Sequence, residues 1–183
     1  MLAYDSFAEL ALILMGKTPK KHMHLAIGDV DDLRGYVTSQ KAENEYLFGH
    51  VAGNDCMRRV GRAVCSWWGT EFKEWDDLIC GTFGGDEVIV LARGGVRSDF
   101  GAALSRLGRA INLSAPRPCS FSWTSIDAST RRDATPVVEF RKIVSALDHH
   151  LFMQKSRKHA AGILVTGEIH EMLKSNGDQQ WIG

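Results

Sequence analysis

Two acidic clusters stand where the chain turns. Asp29 and Asp31 close a short apolar run, His24-Leu25-Ala26-Ile27, that reads as a strand, and residues two apart on a strand point the same way. Asp86 and Glu87 follow the pair Gly84-Gly85, in a four-residue turn between the apolar runs Leu78 to Phe83 and Val88 to Ala92, the pattern of a hairpin. Glycines at such a tip allow positive φ or a close approach of backbone to a ligand. Where the two tips meet, three or four carboxylate oxygens surround a point that only a cation makes tolerable. Hard oxygen donors of this kind suit magnesium or manganese rather than zinc. Magnesium so held commonly grips substrate phosphates too, and a metal pair can activate an attacking hydroxyl while neutralising a leaving pyrophosphate. The plainer alternative is that these acids are solvated turn residues.

The elements that must position the acids are read from hydrophobic spacing. Phe7, Leu10, Ala11 and Leu14 fall at helical intervals behind Asp5 or Ser6 as cap, and Gly16 and Pro19 stop them. Residues 35–45 are polar and weakly patterned, a helix start and a loop. Met57, Val60, Val64 and Trp67 or Trp68 share one helical face; Phe100, Ala103, Leu104, Leu107 and Ile111 share another; Val137, Phe140, Ile143, Val144, Leu147 and Leu151 mark a third helix. Cys119 to Ile126 reads as a strand, Gly162 to Thr166 as a late short strand, and Glu168 to Lys174 as a terminal helix. The order predicts one α/β or α+β domain, a sheet with helices over it.

Composition narrows the function classes. The 183 residues carry 22 basic and 22 acidic side chains, a balance that argues against a module binding duplex nucleic acid by charge. With 44% apolar and 24% charged residues, the chain is an ordinary globular one. Cys56, Cys65, Cys80 and Cys119 are scattered without a CxxC pair, so free thiols in a reducing compartment fit better than zinc or disulfides. The apolar run Phe7 to Met15 is shorter than the ~20 residues that span a bilayer; it carries Glu9 and lacks a basic start and a cleavage site. A cytoplasmic location without membrane contact is expected.

Four motifs then stand in one order. Phe83-Gly84-Gly85-Asp86-Glu87-Val88 resembles the signature of the GGDEF family of nucleotidyl cyclases, with valine for the usual last phenylalanine. Asp29-Val30-Asp31-Asp32-Leu33-Arg34 is similar to that family's DxDxFK segment, Phe48 to Asn54 to its FGHxxGD segment, and Ala146 to Lys155 to its late AD-xx-LY-xx-K helix. The resemblance implies a palm fold over residues 23–166, a mostly antiparallel sheet flanked by helices, with residues 1–22 as helix and connector and 167–183 as helix and tail. It implies two Mg2+ or Mn2+ per site, held by Asp29, the Val30 carbonyl and Asp86, with Glu87 beside the attacking 3′-hydroxyl or the second metal. Backbone amides around Asp31, Asp32, Leu33 and Arg34 would face the terminal phosphates, and Lys155 would reach the same phosphates. The implied reaction condenses two nucleoside triphosphates, GTP and/or ATP, into a cyclic dinucleotide or small cyclic oligonucleotide with release of pyrophosphate. Each palm would hold one nucleotide, so a homodimer completes the site.

The chain also departs from the family. The stretch between Arg34 and Gly49 is longer than usual; counting back from Gly49 puts Glu45, with Asn44 adjacent, at the base-recognising asparagine. Asn54 replaces the aspartate that reads guanine. A carboxylate accepts from both guanine N1–H and N2–H, whereas an amide offers one acceptor and one donor, the pattern that adenine's Watson–Crick edge matches. Losing a buried complementary partner costs ~1–3 kcal/mol, enough to relax or switch base preference, although Glu45 could still receive guanine's protons. The product-inhibition motif RxxD is not recognisable upstream of the hairpin, where Glu74 and Asp77 stand, and His159 occupies a position that is usually arginine. Such losses resemble the stand-alone minimal CRISPR-polymerase-like cyclases, often linked to antiphage signalling. The alternative is a catalytically degenerate palm that binds nucleotide or a partner protein without turnover.

Overall fold

The strand expected around residues 24–27 is the centre of the molecule. In the computed structural model, which describes residues 1–17, 22–43, 49–82, 84–126 and 135–173, it runs over Met23–Val30 (β1) and is buried along almost its whole length. It pairs antiparallel with Glu87–Arg93 (β3) and with Cys119–Ile126 (β4). Asp77–Thr82 (β2) pairs antiparallel with β3, and Ile169–Glu171 (β5) pairs parallel with β4, giving the order β2-β3-β1-β4-β5. The helices are Tyr4–Lys17 (α1), Leu33–Glu43 (α2), Gly49–Glu71 (α3), Arg97–Ser114 (α4) and Pro136–Ala160 (α5). This is an α+β fold with a mostly antiparallel central sheet flanked by helices.

Alternation along the strands builds one core on each face of the sheet. Met23, Leu25 and Ile27 of β1, with Ile89 and Leu91 of β3, pack against Phe7 and Ala11 of α1 and Phe140, Ile143 and Leu147 of α5. Ala26, Val88, Val90 and Phe121 point the other way, against Val60, Val64 and Trp67 of α3 and Phe100, Leu104, Leu107 and Ile111 of α4. The helical spacings read in α3, α4 and α5 therefore bury the faces expected of them, apart from Val137, which is exposed. Trp67 Nε1 donates to the Ala103 carbonyl at 3.0 Å, which lets the indole close the core without an unpaired donor. Leu2 adds a parallel bridge at the outer edge of β2: its N–H donates to Cys80 O and its carbonyl accepts from Thr82 N, both at 2.9 Å.

Three local expectations change. The weakly patterned stretch after Gly35 is helical, as α2. Asp32 starts this helix: its φ of +47° is one that aspartate tolerates, its carbonyl accepts from Tyr36 N, and its Oδ1 accepts from Gly35 N at 3.2 Å. Residues 162–166 form no strand, because the amide of Thr166 is spent on a side chain, Asp31, rather than on a neighbouring strand. The helix read over 168–174 is replaced by β5 across its described part. Phe121 N donates to Glu168 O and Met172 N to Trp123 O, both at 2.8 Å, so saturating the open edge of β4 outweighs local helical spacing. All four cysteines are free thiols, with only Cys65 exposed. No described helix is long and apolar enough to cross a membrane.

Gly28 lies between Val88 and Phe121 in the sheet. A Cβ there would stand 2.4 Å from the Phe121 ring and 2.9 Å from Cys119 Sγ, and both neighbours are fully buried. Gly28→Ala is expected to lose ~1–3 kcal/mol of stability through overpacking. A urea titration checks this: the midpoint falls at constant slope, and an unchanged midpoint contradicts the close packing.

Candidate active site

The β1–β3 ladder sets Asp29 directly opposite Glu87, and directly opposed side chains leave a sheet on the same face. That face is the one α5 covers. Val30 N donates to Asp86 O at 3.2 Å, which ties the hairpin tip to the end of β1. Glu87 is thus the first residue of β3 rather than part of the turn, because β3 pairs with β1 one residue further than it pairs with β2. Gly84 takes φ +89°, which a side chain would strain. At Gly85 a Cβ would meet nothing within 4 Å, so the backbone beside the acids faces open space.

Lys155 reaches this point from α5. Its Nζ lies 2.6 Å from Asp29 Oδ2, 3.4 Å from Asp29 O, 3.3 Å from Val30 O and 3.2 Å from Asp31 Oδ1. Asp148 lies two helical turns earlier on the same face and adds negative charge near Glu87. Burial opposes the Lys155 charge, but Asp29 and Asp31 outweigh it and hold the ammonium above its ordinary value. For Asp29, burial with the charges of Asp86 and Asp31 outweighs Lys155 and pushes the carboxyl up. Glu87 is pushed up to about 7 by burial and by the charges of Asp29, Asp148 and Asp86.

Asp31 has a different task. It is 1% exposed, and its Oδ2 accepts from Thr166 N and Gly167 N at 2.8 Å and from Ser120 Oγ at 2.9 Å. Burial alone would raise its pKa; the Gly167 and Thr166 amides, Lys155 and Ser120 together hold it below the usual carboxylate range. Its own N–H donates to Pro118 O at 2.9 Å and so is not turned toward a ligand. Asp31 fastens the 166–167 turn to the end of β1 and presents its second oxygen to Lys155.

Could these residues hold a metal? Among the described residues, no three His, Cys, Asp or Glu side chains already stand close enough together to do so. The donors nonetheless fit a hard cation. One ammonium already gathers two carboxylates and two backbone carbonyls, so oxygens converge on a single point of positive charge. Magnesium typically takes one or two protein carboxylates and completes its shell with water and phosphate, which suits Asp29, Val30 O and either Asp86 or Glu87.

The other expected residues divide. Asp32 caps α2, Leu33 packs against the α3/α4-side core, and Arg34 is exposed on the first turn of α2. Asn54 lies in a groove of about 530 Å³ between α2 and α3, with Tyr36, Gln40, Asp55, Arg58 and Arg59. Asp55 accepts from Arg59 Nε at 2.8 Å and from Arg58. Glu45 and Asn44 fall outside the described residues. Asp77, upstream of the hairpin, pairs with Arg93. Sequence reasoning gave no role to Asp148, Ser120, Thr166 or Gly167. Only Asp148 carried a signal, its seven-residue spacing from Lys155; the others meet Asp31 through tertiary structure.

No protein-family model matches the sequence, and no curated protein matches it. Solved structures do. The diguanylate cyclase SiaD of Pseudomonas aeruginosa, solved with its activator SiaC, superposes with a TM-score of 0.63 at 17% identity, over 91% of this chain and 55% of that one. This chain therefore spans about half of SiaD. The active GGEEF domain of a diguanylate cyclase from Vibrio cholerae gives 0.63 at 14% identity, over 95% and 98% of the two chains. The FimX GGDEF domain of Pseudomonas aeruginosa gives 0.61 at 18% identity, over 91% of each. The fold is that of a GGDEF domain.

With its pKa raised from 4.5 to about 7, Glu87 keeps in the folded state a proton that the unfolded chain has released. Its contribution to stability therefore falls as pH rises between these two values. In metal-free buffer, the wild type is expected to lose more stability from pH 5 to pH 7 than Glu87→Gln does. Denaturant midpoints at the two pH values check this, and equal losses would show that Glu87 is unperturbed.

Proposed function

We propose that this chain is a metal-dependent nucleotidyl cyclase, joining two nucleoside triphosphates into a cyclic dinucleotide or small cyclic oligonucleotide with release of pyrophosphate. The observation that carries the reading is the register placing Asp29 opposite Glu87 with Asp86 tied to Val30, in a fold shared with diguanylate cyclase domains. Asp29, the Val30 carbonyl, Asp86 and Glu87 would hold two Mg2+ or Mn2+. When bound, such ions lower the pKa of the attacking 3′-hydroxyl and offset charge on the leaving pyrophosphate.

The chain's own groups do the rest. The first turn of α2 leaves backbone amides of Leu33 and Arg34 without intrahelical acceptors, and these receive terminal phosphate oxygens at the positive end of the helix. Lys155, at the end of β1 beside Asp29 and Val30, would donate to the same phosphates. Arg34 lies on this turn as a second cation. Phosphoryl transfer asks chiefly for alignment and charge neutralisation, and these groups supply both. The base lies in the α2–α3 groove, where Asn54 offers one donor and one acceptor. Attack on the α-phosphorus requires a second palm facing the first, so the active form is a homodimer.

One observation favours a second reading. Lys155 already satisfies Asp29, and a palm that binds nucleotide without turning it over would tolerate that arrangement. Incubating the protein with each triphosphate and Mg2+ or Mn2+, with mass spectrometry of the products, separates the two. Pyrophosphate and a cyclic product are expected, and Asp86→Ala is expected to lower turnover about 100-fold or more with an unchanged melting curve. Nucleotide-dependent thermal shifts without pyrophosphate from any triphosphate would replace the cyclase by the non-catalytic binder.

A further inference from the structure

Arg117, in the connection between α4 and β4, has fewer partners than a half-buried guanidinium calls for. Its side chain is 26% exposed, and its nearest carboxylate oxygen, Asp32 Oδ2, is 3.7 Å away, beyond hydrogen-bond reach. Its Nε is buried and unbonded among the described residues. Its Cζ stands 5.5 Å over the ring of Tyr36. A guanidinium carries five N–H donors, so most of this donor capacity is unspent.

The location gives that capacity a use. The next residue, Pro118, receives the Asp31 amide, which fixes this connection against the turn that ends β1. Asp32 caps α2, and Tyr36, one turn further along, lines the groove that contains Asn54. Arg117 therefore stands where the opening turn of α2 meets the α2–α3 groove. Asp32 is committed through Oδ1 to the helix cap, which leaves Arg117 only a loose ion pair with the other oxygen.

We propose that Arg117 is a substrate-binding residue, whose guanidinium exchanges Asp32 for the phosphate oxygens of a nucleoside triphosphate laid against the start of α2. The Tyr36 ring holds the guanidinium plane from behind, and the planar fork matches two phosphate oxygens at once. The proposal rests on the reading that this turn takes the phosphates, and it adds a ligand from the opposite side of the turn to Arg34. A competing role is simply to offset the Asp32 charge, and the two roles part in a double substitution.

The test is calorimetric titration of the full chain with non-hydrolysable GTP and ATP analogues and Mg2+, beside ligand-observed NMR with guanosine and adenosine. Arg117→Gln is expected to weaken triphosphate binding at least about tenfold, with nucleoside binding and the melting curve unchanged. Asp32→Asn combined with Arg117→Gln is expected to bind as weakly as Arg117→Gln alone. If the double variant binds like Asp32→Asn, Arg117 only offsets that carboxylate and the proposal falls. It also falls if Arg117→Gln binds like the wild type, or weakens nucleoside and triphosphate equally. Should glutamine unfold the chain, Arg117→Lys keeps the charge without the fork; weaker triphosphate binding supports the proposal and wild-type binding overturns it. A wild-type chain that binds no triphosphate overturns this proposal with the reading beneath it, whereas binding without pyrophosphate release overturns only the turnover.

Discussion

Asp29, Asp31, Asp86 and Glu87 crowd the end of β1, and the sheet does not let Asp29 and Glu87 separate. Asp29 and Glu87 face each other because Leu25, Ile27, Ile89 and Leu91 must all turn toward α5 and α1. A slip of one residue would drive every one of these apolar side chains to the wrong face. The apolar alternation thus enforces a juxtaposition that electrostatics opposes. Burial first, and then the neighbouring carboxylates, raise the carboxyls of Asp29 and Glu87, and Lys155 relieves part of that cost. Asp31 escapes it, because donors from the 166–167 turn, β4 and α5 meet the two oxygens of its buried carboxylate.

The fold was readable in the sequence wherever one face of an element is apolar at a fixed period. The inward faces of α4 and α5, the hairpin and the two central strands all follow from that rule. α2 was read only as a helix start, because its sequence is polar and its first turn depends on an aspartate in a left-handed conformation, which spacing does not reveal. The segment 168–174 misled for the opposite reason. Its apolar spacing is helical, but β4 would otherwise carry unpaired backbone groups along its open edge. Most of the acid cluster was readable from motif and turn position. The partners of Asp31 and the place of Arg117 were not, since contacts made across the sheet and between connections leave no periodic trace.

Fold and recognition are written in different residues. The fold is shared with GGDEF domains at identities of 17% and 14%, because an alternating pattern can be kept while almost every side chain changes. A groove's character depends instead on single donors and acceptors, and the α2–α3 groove presents Asn54 beside an aspartate clamped by two arginines. A backbone so tolerant of substitution can carry such local changes without losing the geometry at the end of β1.

The bridge from Leu2 to Gly81 bears on the exposed edges of the sheet. An uncovered outer strand is a template on which foreign strands can add, the route by which sheets merge and aggregate. Here the rim beside the acidic hairpin is capped by the residues around Leu2, and the far margin ends in a strand of three residues, too short to seed a continuous ladder. Among the described residues, neither margin of the sheet offers a long bare strand on which another sheet could continue.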